Sequence, residues 1–343
     1  MTTMTHFTRS SLVLGALALT VCKPEPPQPE AEPVYSQLAA QIDGGVLLSA
    51  ANVGDELVFV GGDLSSEPGV SPGGPGYLVR WRDGELCFEA DVTTNTLWWI
   101  DAPSDTEWYA VGEEGTILHE RDGVRADESV ATEAVLYGVF DQGDRVIAVG
   151  GDVWETQEGE VWQRNADGEW SLLADQLPGV VFKVWENWLV GVGVAWTLEG
   201  DTLVEHHPPG GERLLTVHGN SAGDVWAVGG LQQPVVLNWE GGAWNTVAVD
   251  PTCANNGLNG VWVSEEGDVW IAGFLGGMGV YRDGEWECPE SAITREDFHA
   301  VRGHEGSVLF SGGNLFSAGN NHGTLIHYGE DELDEMSSTI GPC

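Results

Sequence analysis

One short phrase recurs along this chain and restricts its fold more than any other feature: an apolar strand that stops on a glycine. "SAGDVWAVGG" at 221–230 returns as "SEEGDVWIAGF" at 264–274. Seven versions of the anchor occur, closing at Gly61, Gly112, Gly150, Gly191, Gly229, Gly273 and Gly312, at intervals of 51, 38, 41, 38, 44 and 39 residues. Each is preceded by another apolar run, as in "LWWI" at 97–100, "LYGVF" at 136–140, "VFKVW" at 181–185, "LNGVW" at 258–262 and "FHAV" at 298–301. A third run ends in Asp-Gly, as in "YLVRWRDG" at 77–84, "TILHERDG" at 116–123 and "GVYRDG" at 279–284. A fourth opens after it with "GEW" or "GAW", at 168–170, 242–244 and 284–286. Asp-Gly favours two-residue hairpin turns, whose central positions need positive φ. The repeating unit is therefore a meander of four antiparallel strands.

A single meander of this kind cannot bury two apolar faces, so copies stack face to face, and closing the stack into a ring removes the last exposed faces. A period near forty residues is that of one four-stranded blade. The expected fold is all-β, a seven-bladed β-propeller over residues 35–343, and the 48 Gly and 16 Trp suit it. Trp170, Trp226, Trp244, Trp270 and Trp286 are then inter-blade packing residues. His119 and His327 occupy one third-strand position in two blades, which favours a structural role. The weak acidic stretch 330–336 makes a feeble last outer strand, and residues 33–40 are an alternative candidate for that place.

The Gly-Gly pairs at 61–62, 150–151, 229–230 and 312–313, each followed by a tryptophan-bearing strand, resemble kelch-type and related bacterial β-propellers. The second, fourth and sixth repeats lack the second glycine, and the Gly-His and Trp-Asp signatures of WD repeats are absent. The Asp-Val-Trp-Ala-Val-Gly phrase is also similar to repeats behind lipoprotein signals in predatory and social soil and marine bacteria. That resemblance implies no activity.

The N-terminus gives a cellular address. "SLVLGALALTV" at 11–21, behind Arg9, is an apolar run too short to span a bilayer, and it ends on Cys22 before a Pro/Glu-rich stretch. It resembles a bacterial lipoprotein precursor with Leu19-Thr20-Val21-Cys22 as lipobox, although Val21 departs from the usual small residue. Residues 1–21 are read as a lipoprotein-type signal peptide, 22–34 as a linker and Cys22 as the lipidated residue. The alternative is a secretory signal cut after Ala18, with Cys22 a free thiol. The expected location is exported: outer-membrane lipoprotein, periplasm or cell surface. The four other cysteines allow three disulfide connectivities. Cys253 and Cys288 lie within one repeat and are expected to pair, while a Cys87–Cys343 bond would staple the last blade to the first.

A formal charge of −41, from 54 acidic and 13 basic residues, disfavours nucleic acid and anionic lipid as partners. Membrane attachment is expected only through the lipid anchor. The acidity reads as a hydrated surface rather than a divalent-cation site, because no Asp-x-Asp-x-Asp-Gly calcium loop occurs. No metal or cofactor is expected.

Candidate binding residues lie where the chain departs from its repeat. The long connections 61–76 and 312–323 belong to neighbouring blades and emerge on one face, offering Asp63, Ser65, Asn314, Asn320, Asn321 and His322 as a polar lip. Alignment of the inner strands places Asp101, Phe140, Trp185, His218, Trp262 and Arg302 at one level around the channel. The sialidase Asp-box, Gly-x-Ser-x-Gly, His-Glu-x-x-His and phosphate-binding P-loop are all missing. The function expected is a monomeric cell-envelope recognition or scaffold module binding a protein or glycan through loops on one face, and not an enzyme. The alternative is an extracytoplasmic polysaccharide hydrolase or lyase using the Asp101, His218 and Arg302 level.

Overall fold

The computed structural model describes residue 1 and residues 33–64, 74–210, 213–221, 224–314, 322–330, 333–335 and 340–343. The unit from Pro33 to Cys343 consists of seven sheets, antiparallel throughout except for one short parallel pairing at the C-terminus. From the channel outward, blade 1 holds Val46–Val53, Glu56–Gly62, Gly76–Arg82 and Glu85–Thr93. Blades 2 to 6 repeat this order, with inner strands Leu97–Ser104, Val135–Asp141, Val181–Trp185, Leu214–Ser221 and Leu258–Val263. The Asp-Gly turns have the expected form: Asp83 and Gly84 take φ of 51° and 78°, and Asp283 and Gly284 take 51° and 87°. Positive φ at both centres matches the turn twist to that of the strands.

Every inner strand carries a β-bulge at the same place, and Leu97–Ser104 and Leu214–Ser221 each have a second irregularity further along. The pairing slips between Leu47 and Ser49, Leu97 and Trp99, Leu136 and Gly138, Val181 and Lys183, Leu214 and Thr216, Leu258 and Gly260, and Phe298 and Ala300. The bulge presses the strand against the anchor glycine opposite. A Cβ at Gly61 would lie 1.9 Å from the Val46 carbonyl oxygen, and one at Gly312 would lie 1.9 Å from that of Asp297. This close approach, and not a turn conformation, keeps glycine at the end of every anchor.

The core lies between blades. Seven apolar clusters fill the seven interfaces, as where Val58, Val60 and Leu78 of blade 1 meet Leu97, Ile100 and Trp108 of blade 2. Second strands are buried on both faces. Tyr109 and Val111 serve the interface with blade 3, while Trp108 and Ala110 serve that with blade 1. Each fully buried Val, Leu or Phe contributes roughly 1.5–3 kcal/mol, so no blade is stable without neighbours. The repeated tryptophans pack across blades: Trp244 lies 5.0 Å from Trp188, and Trp270 lies 4.9 Å from Tyr328.

Ring closure uses the N-terminal segment. Val34–Ile42 pairs antiparallel with Gly323–Gly329 as the outer strand of blade 7, whose other strands are Phe298–His304 and Ser307–Gly313. Leu38 and Ile42 from this strand are buried in the interface with blade 1. At the other end, Gly341–Pro342 pairs parallel with Cys87–Phe88 on the outer edge of blade 1. Both disulfides form as expected, Cys87–Cys343 and Cys253–Cys288.

Candidate functional site

The ladders fix the channel levels independently of sequence alignment. Asp101, Phe140, Trp185, His218, Trp262 and Arg302 pair with Tyr109, Ile147, Trp188, Trp226, Trp270 and Leu309, each three residues before its anchor glycine. The seventh member of the level is Ala51, opposite Val58.

Most of these side chains are engaged with the next blade around the ring. Asp101 Oδ2 accepts a hydrogen bond from the Asp141 N–H at 2.9 Å, and His218 Nδ1 accepts one from the Val263 N–H at 3.1 Å. The six-membered ring of Trp185 packs against Gly219 and that of Trp262 against Gly303, where an added Cβ would come within 2.8 Å and 2.1 Å of the respective ring. Arg302 departs from the pattern. Its guanidinium reaches across the channel, Nη1 standing 3.3 Å from His218 Nε2 two blades away, while its Nε is buried without a partner among the described residues.

Two residues nearer the anchor-glycine end, Lys183 fills the channel at a second level. Its Nζ donates to the Tyr137 carbonyl and sits 4.1 Å from the centre of the Trp99 ring. Burial pushes its ammonium down to about 7. Burial likewise holds Arg302 below the usual guanidinium range, opposed by the charge of Asp101. Asp101 is raised to about 6 by burial, despite the bond from Asp141 and the nearby arginine. His218 is held well below its ordinary value by burial and by Arg302. His299, lowered to about 4 by burial, also lies in the field of Lys183. The bulged residues Trp98, Tyr137 and Phe182 continue the wall as an edge-to-face series with centroids 5.1 Å and 5.3 Å apart.

Sequence reasoning missed Lys183. The signal was present in "VFKVW", a lone cation in an otherwise apolar inner strand, two places before Trp185 and therefore on the same face.

Of the lip residues, Asp63 accepts at its carbonyl from the Gly74 N–H, and His322 Nε2 stands 3.5 Å from Glu296 in the connection preceding blade 7. Asn314 directly follows the second strand of blade 7. Ser65, Asn320, Asn321 and Cys22 lie outside the described residues. His119 is held between Glu107 and Glu128 at 2.9 Å and 2.8 Å, and Glu128 also binds Arg164 and Trp170 of blade 3. This network is an inter-blade lock. A cavity of about 150 Å³ on blade 6, lined by residues 251–256, 274–277, 289 and 291–293, has no ionisable side chain among those lining residues.

On the anchor-glycine face, the connections between second and third strands present Trp154, Leu231 and Leu275, which are 65%, 50% and 59% exposed. Carboxylate-to-backbone bonds brace two of these connections. The Asp152 carboxylate accepts from the N–H groups of Trp154, Glu155 and Thr156, and Asp297 accepts from that of Leu275. Leu275 also adopts a positive φ of 55°, a conformation that costs a non-glycine residue about 1 kcal/mol.

Comparison with solved structures agrees with the fold. The chain is similar to the WD40 β-propeller domain of Doa1, with a TM-score of 0.61 and 11% identity over 87% of this chain and 97% of that one. It is similar to YCF48 from Cyanidioschyzon merolae, with a TM-score of 0.59 and 14% identity over 86% and 98%. YCF48 bound to D1 peptide gives a TM-score of 0.62 and 15% identity over 87% and 97%. No family model and no curated protein sequence matches the chain.

Proposed function

We propose that this protein is an exported binding or scaffold module that engages a protein partner on the anchor-glycine face of the propeller. The observation that carries this reading is the set of three exposed apolar side chains, Trp154, Leu231 and Leu275, on second-to-third-strand connections of blades 3, 5 and 6. Exposing them costs hydration free energy, and Leu275 bears backbone strain as well. The propeller neighbours support it, since one of them is a complex with a peptide. Two disulfides suit an oxidising, extracytoplasmic compartment. Lipidation at Cys22, with residues 22–34 as tether, is the anchorage that this reading takes from the sequence.

A photo-crosslinking residue placed at 154, 231 or 275 in the native envelope is expected to capture one common partner. The same residue at Val124 or Leu172, exposed elsewhere, is expected to capture none. Equal labelling from all five positions refutes the docking face, and capture of glycan instead of protein refutes the partner class.

The hydrolase reading is favoured by one observation, the elevation of Asp101 to about 6, which suits a general acid. Its level of the ring offers no second carboxylate, and glycoside hydrolysis generally uses two. Loss of polysaccharide cleavage in Asp101→Asn, with cleavage by the unaltered protein, would establish it.

A further inference from the structure

The channel contains hydrogen-bond donors without an acceptor. His218 Nδ1 accepts from the Val263 N–H, so a neutral imidazole carries its proton on Nε2, the atom that faces Arg302 Nη1 at 3.3 Å. Moving the proton to Nδ1 would only bring it against the Val263 N–H. Whichever nitrogen is protonated, one N–H is left pointing at another donor. Arg302 Nε adds a further buried donor with no partner among the described residues. An unsatisfied buried donor costs on the scale of a lost hydrogen bond, and a charged one costs more.

The charge distribution makes the same point. In a protein with 54 acidic side chains, Arg80, Arg82, Arg121, Arg125, Arg145, Arg164 and Arg282 all form ion pairs on or near the surface. Arg302 and Lys183, the two cations inside the channel, have no carboxylate within 4.0 Å among the described residues. Asp101 supplies the one negative charge at the level of Arg302 and is itself bonded to the Asp141 N–H. Trp185 borders the donor pair, its ring 5.6 Å from that of His218, and Phe140 extends the apolar wall behind it at 6.4 Å.

We propose that the central channel is a binding site for a small organic monocarboxylate, whose oxygens accept from the Arg302 guanidinium and from His218 Nε2–H while its apolar body lies against Trp185. A planar carboxylate matches the flat guanidinium fork. A monoanion is preferred to phosphate because Asp101 stands near enough to interact with Arg302 and would repel a second negative charge. The site is separate from the docking face and does not depend on it.

The test is calorimetric titration of the purified protein with benzoate, with benzamide as the neutral isostere and with inorganic phosphate, in buffer free of other carboxylates. Benzoate is expected to bind at one site per chain, with benzamide and phosphate weaker by about 10-fold or more, the value of one charge-assisted hydrogen bond. Arg302→Gln is expected to lose benzoate binding by at least the same factor. Because that variant alters a packed channel, nitrogen-edited NMR of the unaltered protein supplies a second readout, and the His218 Nε2–H resonance is expected to move on benzoate addition. The proposal is overturned if benzoate does not bind, if benzamide binds equally well, if phosphate binds more tightly, or if binding leaves the His218 resonance unmoved.

Discussion

Replacing Lys183 by methionine isolates the energetic effect of one buried cation. The ammonium has a carbonyl and an aromatic face as its partners, and burial lowers it from 10.5 to about 7. Below about pH 7 the side chain is charged in both folded and unfolded chains, and the folded state bears a cost of about 5 kcal/mol, from ~1.4 kcal/mol per unit. Between pH 7 and 10.5 the folded chain has released a proton that the unfolded chain retains, so stability rises with pH. From about pH 6 to about pH 9 this gain amounts to roughly 2.7 kcal/mol. Methionine fills the same space without titrating, and it forfeits the bond to the Tyr137 carbonyl and the contact with Trp99, together ~2–3 kcal/mol. Lys183→Met is thus expected to be more stable than the unaltered protein by about 2 kcal/mol near pH 6 and to lose that advantage near pH 9. Equilibrium urea denaturation of both proteins at the two pH values measures the difference, and every other titrating group cancels. A difference constant across this range would show that the ammonium reaches water, which would remove the closed upper level of the channel.

Other expectations concern the ring. The Cys87–Cys343 bond spans 256 residues and Cys253–Cys288 spans 35, so loop-closure entropy assigns them upper limits of about 5.6 and 3.8 kcal/mol; thermal scans of Cys343→Ser and Cys288→Ser should rank in that order. Burial alone would raise Glu128, yet bonds from Arg164, His119 and Trp170 hold it down to about 2. Its contribution is therefore present above the ordinary glutamate value and fades as pH falls through 2. Glu128→Gln should cost about 2 kcal/mol at neutral pH after allowance for solvent screening, and acid titration of stability should show the two proteins converging. Gly303→Ala pushes a methyl into Trp262 and should cost about 1–3 kcal/mol. Adding Trp262→Leu should recover most of that loss in a double-mutant cycle, and simple additivity would contradict the close contact described.

Much of the fold is written in the repeat because each blade must satisfy the same conditions. The Asp-Gly dipeptides specify turns, the anchor glycines permit the bulged inner strand to approach, and runs apolar on both faces require neighbours on both sides. The one-level alignment of Asp101, Phe140, Trp185, His218, Trp262 and Arg302 follows from the same periodicity, since every anchor fixes the register of the strand beside it. Repetition also hid the bulge at each inner strand. An extra residue present in all seven copies leaves no irregularity in the sequence.

What the sequence alone determined was everything common to the blades: the number of copies, the strand order within each and the need to close. Tertiary structure alone decided how the ends join, with Val34–Ile42 completing blade 7, because a strand of this length would pair with any open edge until the ring leaves only one. It also decided which channel side chains meet. His218 and Arg302 are 84 residues apart and belong to blades that are not neighbours in the ring, and Lys183 reaches the Tyr137 carbonyl 46 residues away. Contacts across a channel depend on side-chain direction and on what the intervening small residues leave open, and neither is carried by a pattern that repeats.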